Sequence, residues 1–301
     1  MYQQHFQLQQ LPFGLTPDTR FFVPLAQHQD VLAVLKTALN AGEGFIKITG
    51  EVGSGKTMLC RLLLQQAAPD WQLAYLPDPW LTPLELRWAL ALELGLKYSA
   101  NIDPPQLLQL LQRQLVMLSA QGRKAIVLID EAQALPDETL EALRLLTNLE
   151  TEQRKLLQVV LFGQPELNKR LASYRFRQLR QRITFSSQLS LMTPRQVSAY
   201  LQQRMQQAGS QQQLFSYFAR RALCRYSRGI PRLLNILAHK ALLLAFGEGR
   251  AQVCWQHVRL AASDTEDVSA KPRPWYWYFS LLLGSGFAGV AIASMMWAGT
   301  L

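Results

Sequence analysis

The strongest constraint on this chain is a short glycine-rich segment that ends in lysine and threonine. It reads Gly50-Glu51-Val52-Gly53-Ser54-Gly55-Lys56-Thr57, which has the form G-x-x-x-x-G-K-[ST] of a phosphate-binding loop, or P-loop. Residues 45–49 predict a strand before it, and residues 58–64 predict a helix after it. A glycine-rich turn with a chance Lys-Thr pair is the alternative, but the flanking strand and helix favour the P-loop. In such a loop the N–H groups at the start of a helix face phosphate oxygens.

Two carboxylates follow another apolar stretch. Residues 125–129 are apolar without alternation, which predicts a strand buried on both faces of a parallel sheet. Ligands bind at the carboxyl ends of such strands. We therefore expect Asp130, together with the Thr57 hydroxyl, to hold Mg²⁺, and Glu131 to polarise the attacking water. A solvated acidic turn or a helix-capping pair is the alternative for these two residues taken alone.

The expected ligands are therefore ATP and Mg²⁺. Lys56 is expected to reach the β- and γ-phosphates. A further strand is predicted over residues 156–162, and Gln164 stands at its end, where its amide could sense the γ-phosphate or form part of a simple turn. The residues expected to bind the nucleotide are Gly50, Glu51, Val52, Gly53, Ser54, Gly55, Lys56, Thr57, Met58 and Asp130.

The charge balance favours an anionic partner. The chain has 31 lysines and arginines against 21 acids, a net charge of +10, which suits a nucleotide, a nucleic acid or anionic lipid. Residues 169–182 contain six basic side chains and no acid. Three interpretations of this basic segment stay open: a solvated or DNA-facing stripe, an arginine presented to a neighbouring subunit's ATP, and a lipid-binding surface. Three widely spaced cysteines fit a reducing compartment.

The chain divides into an α/β domain at 1–189, which begins with an aromatic strap at 1–30, and an all-α domain at 190–262. The strap is predicted either to pack on the core or to cover the adenine ring. A polar linker is predicted at 263–274. The helices predicted for the second domain are 194–208, 213–226, 231–246 and 254–262.

The carboxyl-terminal segment predicts a membrane anchor. Residues 279–298 carry no charge over 20 positions, which is enough to cross a bilayer core about 30 Å thick. A buried globular helix is the alternative. Because Lys271 and Arg273 flank only the amino-terminal side, we expect residues 1–274 in the cytoplasm, with residues 275–301 forming one membrane span and a short tail.

Several blocks of the sequence are specific enough to carry a resemblance. They are HFQLQQLPFGLTPDTRFF, GEGFIKITGEVGSGKT, LRLLTNLE, VVLFGQPEL and RGIPRLLNILAHKALLLAFGEG. Over about residues 1–262 they resemble the AAA+ ATPases, and among these the ExeA/GspA-type secretion ATPases, most closely the branch that serves MSHA pilus biogenesis. The resemblance implies a P-loop NTPase αβα sandwich with a parallel central sheet and an all-α lid, to which the sequence adds a transmembrane helix.

The resemblance also implies roles for single residues. Gln164 takes the sensor 1 position, and Arg232 takes the sensor 2 position on the lid. Arg180 or Arg182 matches the arginine finger that completes a neighbouring subunit's site, with Arg182 preferred because it directly precedes a predicted strand. Asp78 stands where relatives often carry an amide that restrains the catalytic glutamate. A carboxylate cannot donate that hydrogen bond unless it is protonated.

The implied function is a membrane-anchored ATPase that hydrolyses ATP to support assembly of a type IV, MSHA-type pilus or a related secretion apparatus. We expect a homo-oligomer, with a ring as one arrangement, that contacts inner-membrane components of the apparatus. Relatives continue into a periplasmic peptidoglycan-binding domain, an activity not expected of a chain that ends at Leu301.

Two other functions compete with this one. The first is a nucleic-acid-binding AAA+ ATPase of the transposition-regulator or replication-initiator type, which the expected membrane anchor disfavours. The second is a scaffold that binds ATP without turnover, which Asp130 and Glu131 disfavour.

Overall fold

A parallel β-sheet forms the centre of the first domain in the computed structural model, which describes residues 2–14, 18–99, 102–149 and 155–268. Within those residues the sheet has five strands in the order β2-β3-β4-β1-β5. The strands are β1 (Phe45–Gly50), β2 (Trp71–Leu76), β3 (Lys124–Ile129), β4 (Leu157–Gly163) and β5 (Ile183–Leu189). The helices that precede the second domain along the chain are α1 (Tyr2–His5), α2 (Ala26–Ala41), α3 (Lys56–Gln65), α4 (Pro83–Glu93), α5 (Pro104–Ala120), α6 (Asp137–Leu146), α7 (Pro165–Leu171) and α8 (Arg177–Arg182).

Both faces of the sheet are covered by helices. Val127 and Ile129 of β3 point into a core that helices α4, α5 and α6 close. Ile126 and Leu128 point into the opposite core, which α2 and α3 close. The prediction that this strand is buried on both faces is confirmed, and so is the αβα sandwich with a parallel sheet. All five strands run in the same direction, so their carboxyl ends share one edge.

The second domain is helical. Its helices are α9 (Pro194–Gln207), α10 (Tyr217–Ser227), α11 (Pro231–Gly247) and α12 (Trp255–Ser263). Helix α10 begins later than the predicted residue 213. The reason is a tertiary contact: Phe215 bridges to Val253, and the Ser216 side chain then caps the helix by accepting the Ala219 N–H.

The segment after α12 also differs from the prediction. The linker is predicted at 263–274, but Ser263 still belongs to α12, Thr265 and Val268 are buried, and Lys240 pairs with Asp264 at 2.9 Å. This part of the segment therefore packs on the second domain, α9 to α12, which corresponds to the expected lid. The rest of the linker and the predicted span at 279–298 lie outside the described residues. Among the described residues, no helix is long and apolar enough to cross a membrane.

The strap packs against the lid rather than against the sheet. Tyr2, Phe6, Phe13 and Phe21 share one buried cluster with the apolar faces of α9 to α12. This packing is in keeping with one of the two predicted roles of the strap, packing on a core, and the core concerned is that of the lid.

Gly229, which lies between α10 and α11, approaches the backbone of Met192 closely, and this approach can be tested. A Cβ atom there would lie 2.3 Å from the carbonyl oxygen of Met192, and Gly229 has φ +78°. Gly249 has a similar φ of +65° but open space around its Cβ position. We expect Gly249→Ala to lower the free energy of unfolding by about 1–2 kcal/mol, the cost of a left-handed alanine. Gly229→Ala should lower it by about 3 kcal/mol or more, because backbone must also shift. Equal unfolding midpoints for the two variants in thermal denaturation would contradict the close approach.

Candidate nucleotide-binding site

The P-loop lies at the carboxyl end of β1 and leads directly into α3. Its lysine is buried, and Lys56 Nζ donates to the carbonyl oxygens of Gly50 at 2.9 Å and Glu51 at 3.1 Å. Burial lowers the pKa of Lys56, while the carboxylates of Glu131, Asp130 and other acids oppose that shift. The ammonium group is thus held inside the loop by backbone carbonyls, in the position where phosphate oxygens would replace them.

Two oxygen ligands meet at the start of α3. The Thr57 hydroxyl donates to Asp130 Oδ2 at 2.6 Å, and Asp130 Oδ1 accepts the Glu131 N–H at 2.9 Å. Burial raises the pKa of Asp130, against the lowering effect of these two hydrogen bonds. A hydroxyl and a carboxylate side by side are hard oxygen donors of the kind that Mg²⁺ takes beside substrate phosphates. The pair therefore fits the predicted magnesium site.

Glu131 follows in an uncommon backbone conformation, with φ 49°. Its Oε2 atom accepts two amide N–H groups, from Gln133 Nε2 at 2.6 Å and Gln164 Nε2 at 2.9 Å. Burial alone would raise the pKa of Glu131, but these amides and the Lys56 charge lower it below its ordinary value. A left-handed non-glycine residue at a strand end is typical of a functional position.

The lid reaches the P-loop through the first turn of α11. The Arg232 N–H donates to the Gly53 carbonyl at 3.2 Å. A Cβ on Gly53 would lie 2.6 Å from Arg232 Cβ, so this glycine is needed for the contact. The amino-terminal end of α11 and the Arg232 side chain therefore border the same loop as Lys56.

A cavity of about 380 Å³ lies between these elements. Glu131 lines it from the sheet edge, Arg232 and Asn235 line it from the lid, and the strap lines it through Phe22. The P-loop residues that line it are Val52, Gly53, Ser54, Gly55, Lys56, Thr57 and Met58. Asp130 and Gln164 do not line the cavity themselves. Asp130 is hydrogen-bonded to Thr57, and Gln164 is hydrogen-bonded to Glu131, and these two partners do line it.

Neither predicted finger arginine reaches this cavity. Arg180 is exposed and donates to the Ala172 carbonyl at 3.1 Å. Arg182 is half-buried and donates to the Arg144 carbonyl at 3.3 Å and to the Thr147 hydroxyl at 3.4 Å. Arg182 lies near the start of β1, at the end of that strand opposite to the P-loop.

The other side chains of the basic segment are partly paired. Arg170 and Arg175 both form ion pairs with Asp137 at the start of α6. The sequence pattern of six basic residues without an acid therefore does not describe the folded surface, where an acid from a different helix approaches the segment.

A buried arginine fixes the strap over the cavity. Arg204 of α9 donates to the carbonyls of Pro12 at 2.6 Å and Phe21 at 2.9 Å. Its guanidinium group also lies over the rings of Phe21 at 4.8 Å, Tyr200 at 5.7 Å and Phe13 at 6.0 Å. An adjoining open cleft of about 570 Å³ shares Arg204 with the cavity but is lined by none of the P-loop.

Comparison with known proteins agrees with this geometry. The AAA domain family matches residues 39–171. The chain has the AAA+ fold. It is similar to the Aeropyrum pernix ORC2 protein in its ADPNP-ADP complexes, with 16% identity, a TM-score of 0.56, and coverage of 83% of this chain and 72% of that one. It is also similar to the Aeropyrum pernix ORC1 protein in complex with DNA, with 20% identity, a TM-score of 0.60, and coverage of 84% and 69%.

A sequence relative matches almost the whole chain, beyond the segment 39–171. The chain is 39% identical over 299 residues to General secretion pathway protein A of Aeromonas hydrophila, a match that covers 99% of this chain and 54% of that protein. The chain therefore spans about half the length of this relative.

Gln133 and Arg204 are two of the site residues that sequence reasoning missed. Gln133 could have been suspected, because it follows the acidic pair by two positions and a turn can bring its amide back to Glu131. Arg204 gave no signal, because its partners lie 192 and 183 positions away in the chain.

The hydrogen bonds from Arg204 to the strap, which we call the clasp, can be tested by proteolysis at Arg20. The exposed side chain of Arg20 is a trypsin site on the strap. Replacing Arg204 with methionine leaves the buried carbonyls of Pro12 and Phe21 without their donor, which costs about 1–3 kcal/mol. We expect Arg204→Met to speed tryptic cleavage after Arg20 about tenfold, since opening of the strap then becomes more populated. Arg195→Met, an exposed change on the same helix, is the matched control. An unchanged cleavage rate in Arg204→Met would contradict the clasp.

Proposed function

We propose that this chain binds ATP with Mg²⁺ in the cavity between sheet and lid and hydrolyses it there. The observation that supports this most is the meeting of Lys56, the Thr57–Asp130 pair, Glu131 and Arg232 around one cavity. These are the side chains that a P-loop ATPase needs to bind phosphates, hold a metal, activate water and sense the γ-phosphate. The nucleotide named in the ORC2 complexes is consistent with this at the level of the fold.

In the proposed reaction, water attacks the γ-phosphorus and ADP leaves. Glu131 accepts a proton from that water through its carboxylate. Lys56 exchanges its carbonyl partners for phosphate oxygens and stabilises their negative charge. When bound, Mg²⁺ supplies further charge stabilisation on the phosphates. Arg232, at the start of α11, ties the lid to the state of the γ-phosphate.

We propose further that the site is shared between subunits of a homo-oligomer. Arg180, which is exposed and has one acceptor in its own chain, suits a role in a neighbouring site better than Arg182, which is half-buried and has two. An arginine supplied by a partner can raise the rate by about 10³–10⁵. Turnover per subunit should then rise with protein concentration and be lost in Arg180→Ala. A constant turnover per subunit would remove the shared site.

The biological setting that we propose is a bacterial secretion or pilus-assembly apparatus at the inner membrane. The identity to General secretion pathway protein A supports a secretion ATPase, and the sequence blocks given above support the MshM type of MSHA pilus biogenesis. Residues 279–298 would anchor the chain, with 1–274 in the cytoplasm. Deleting 279–298 should move the protein from the membrane fraction to the soluble fraction. A deletion variant that stays with membranes would contradict the proposed anchor.

Nucleic acid is the less favoured partner. The ORC1 protein was solved in complex with DNA, but a likeness at 20% identity concerns the fold alone. In the basic segment, Arg170 and Arg175 are paired with Asp137, which leaves less free positive charge than the sequence suggested. No specific contact in the described residues favours DNA over the proposed secretion role.

The enzymatic proposal is tested by two variants of the full chain. Lys56→Ala should abolish ATP binding, because the phosphates lose their buried cation. Glu131→Gln should bind ATP as well as the wild type but lower turnover by about 10²–10⁴, the typical contribution of a general base. Glu138→Gln, an exposed change at the start of α6, is the control and should leave both quantities unchanged. Phosphate release and equilibrium binding of a fluorescent ATP analogue measure them. Undiminished turnover in Glu131→Gln would remove Glu131 from the mechanism.

A further inference from the structure

Gln133 joins the ends of two neighbouring strands at the candidate site. It lies in the 3-10 turn Ala132–Ala134 that follows β3. Its side-chain Nε2 donates to Glu131 Oε2 at 2.6 Å, and its Oε1 accepts the backbone N–H of Gln164, after β4, at 2.9 Å. Its backbone carbonyl accepts Arg170 Nη1 at 2.5 Å. Three hydrogen bonds to three different residues therefore fix both the backbone and the amide of this residue.

These contacts engage only one oxygen of the glutamate. Gln133 and Gln164 both donate to Glu131 Oε2, and across the described part of the chain no hydrogen bond engages Oε1. Glu131 itself lines the cavity beside the P-loop. The two amides thus determine which oxygen is occupied and leave the other one available to a water molecule in the cavity.

Asp78, at the end of the neighbouring strand β2, does not supply an amide donor to Glu131. Asp78 is exposed, and its carboxylate accepts the Trp80 N–H at 3.1 Å. It has no hydrogen to donate when ionised. Gln133 and Gln164 supply the donors instead, from the sequence positions two and 33 residues after the glutamate.

We propose that Gln133 is a positioning residue for the water-activating carboxylate, which it orients by occupying Oε2 so that Oε1 faces the bound phosphates. This rests on the proposed ATP hydrolysis. The chemistry requires glutamine: asparagine is one methylene shorter, glutamate lacks the donor, and methionine fills similar space without either hydrogen bond. Gly163 leaves room for the amide, since a Cβ there would lie 3.3 Å from Gln133 Oε1 and 2.7 Å from Leu167 Cδ2.

Gln133→Met in the full chain is the direct test. We expect kcat to fall about tenfold, because small misplacements of a reacting group are costly, while the KM and Kd for ATP stay within about twofold. Gln158→Met is the matched control: Gln158 is a buried glutamine of β4 that donates to the Leu39 carbonyl at 3.1 Å and does not touch the site. Its kcat should match that of the wild type.

A second background separates positioning from a merely structural role. When Glu131 is already glutamine, there is no carboxylate left to orient, so adding Gln133→Met should cause no further loss in single-turnover rate. If Gln133→Met folds poorly, Gln133→Glu replaces it; this variant keeps the acceptor for the Gln164 N–H, lacks the donor to Glu131, and should show the same loss of kcat.

Each outcome decides the matter. Wild-type kcat in Gln133→Met, or in a folded Gln133→Glu, would overturn the proposal, as would an equal further loss in the Glu131→Gln background. A wild-type chain that binds ATP but does not hydrolyse it would instead overturn the proposed function, and the positioning role with it. A tenfold loss confined to kcat, and absent without the carboxylate, would establish it.

Discussion

The hydrogen bond between the Thr57 hydroxyl and Asp130 Oδ2, at 2.6 Å, connects the two halves of the candidate site. One partner belongs to the helix after the P-loop and the other to the end of the central strand β3. They meet because parallel strands end on one edge of the sheet, and because β3 is fixed by apolar side chains on both faces. Glu131 and Gln164 follow the ends of β3 and β4, so the same edge of the sheet determines where they lie.

The lid and strap complete a cavity that the sheet alone would leave open. Arg232 contacts the P-loop through its backbone, at a place where Gly53 leaves room for it. Arg204 ties the strap to the lid, so strap and lid are one packed unit rather than two covers.

Local patterns predicted the sheet and the centre of the site well. The strand at 71–76 and the helix at 104–120 have the bounds that periodicity and flanking prolines and glycines indicated. The P-loop and the two acids could be predicted from the sequence because each stands directly after a strand. The contacts of Arg204 and the approach of Asp137 to the basic segment could not be predicted, since both join residues far apart in the chain. The start of α10 was missed because a tertiary bridge, between Phe215 and Val253, overrides the helical pattern.

The central claim is that the P-loop, the acidic pair and the lid arginine surround one triphosphate. A structure of the full chain with Mg²⁺ and a non-hydrolysable ATP analogue tests it most directly. The account predicts phosphate oxygens on Lys56 Nζ in place of the Gly50 and Glu51 carbonyls, the metal beside Thr57 and Asp130, and the Arg232 side chain at the γ-phosphate. An analogue bound in the open cleft around Arg204 and Arg20, or phosphates that leave Lys56 on its carbonyls, would contradict it.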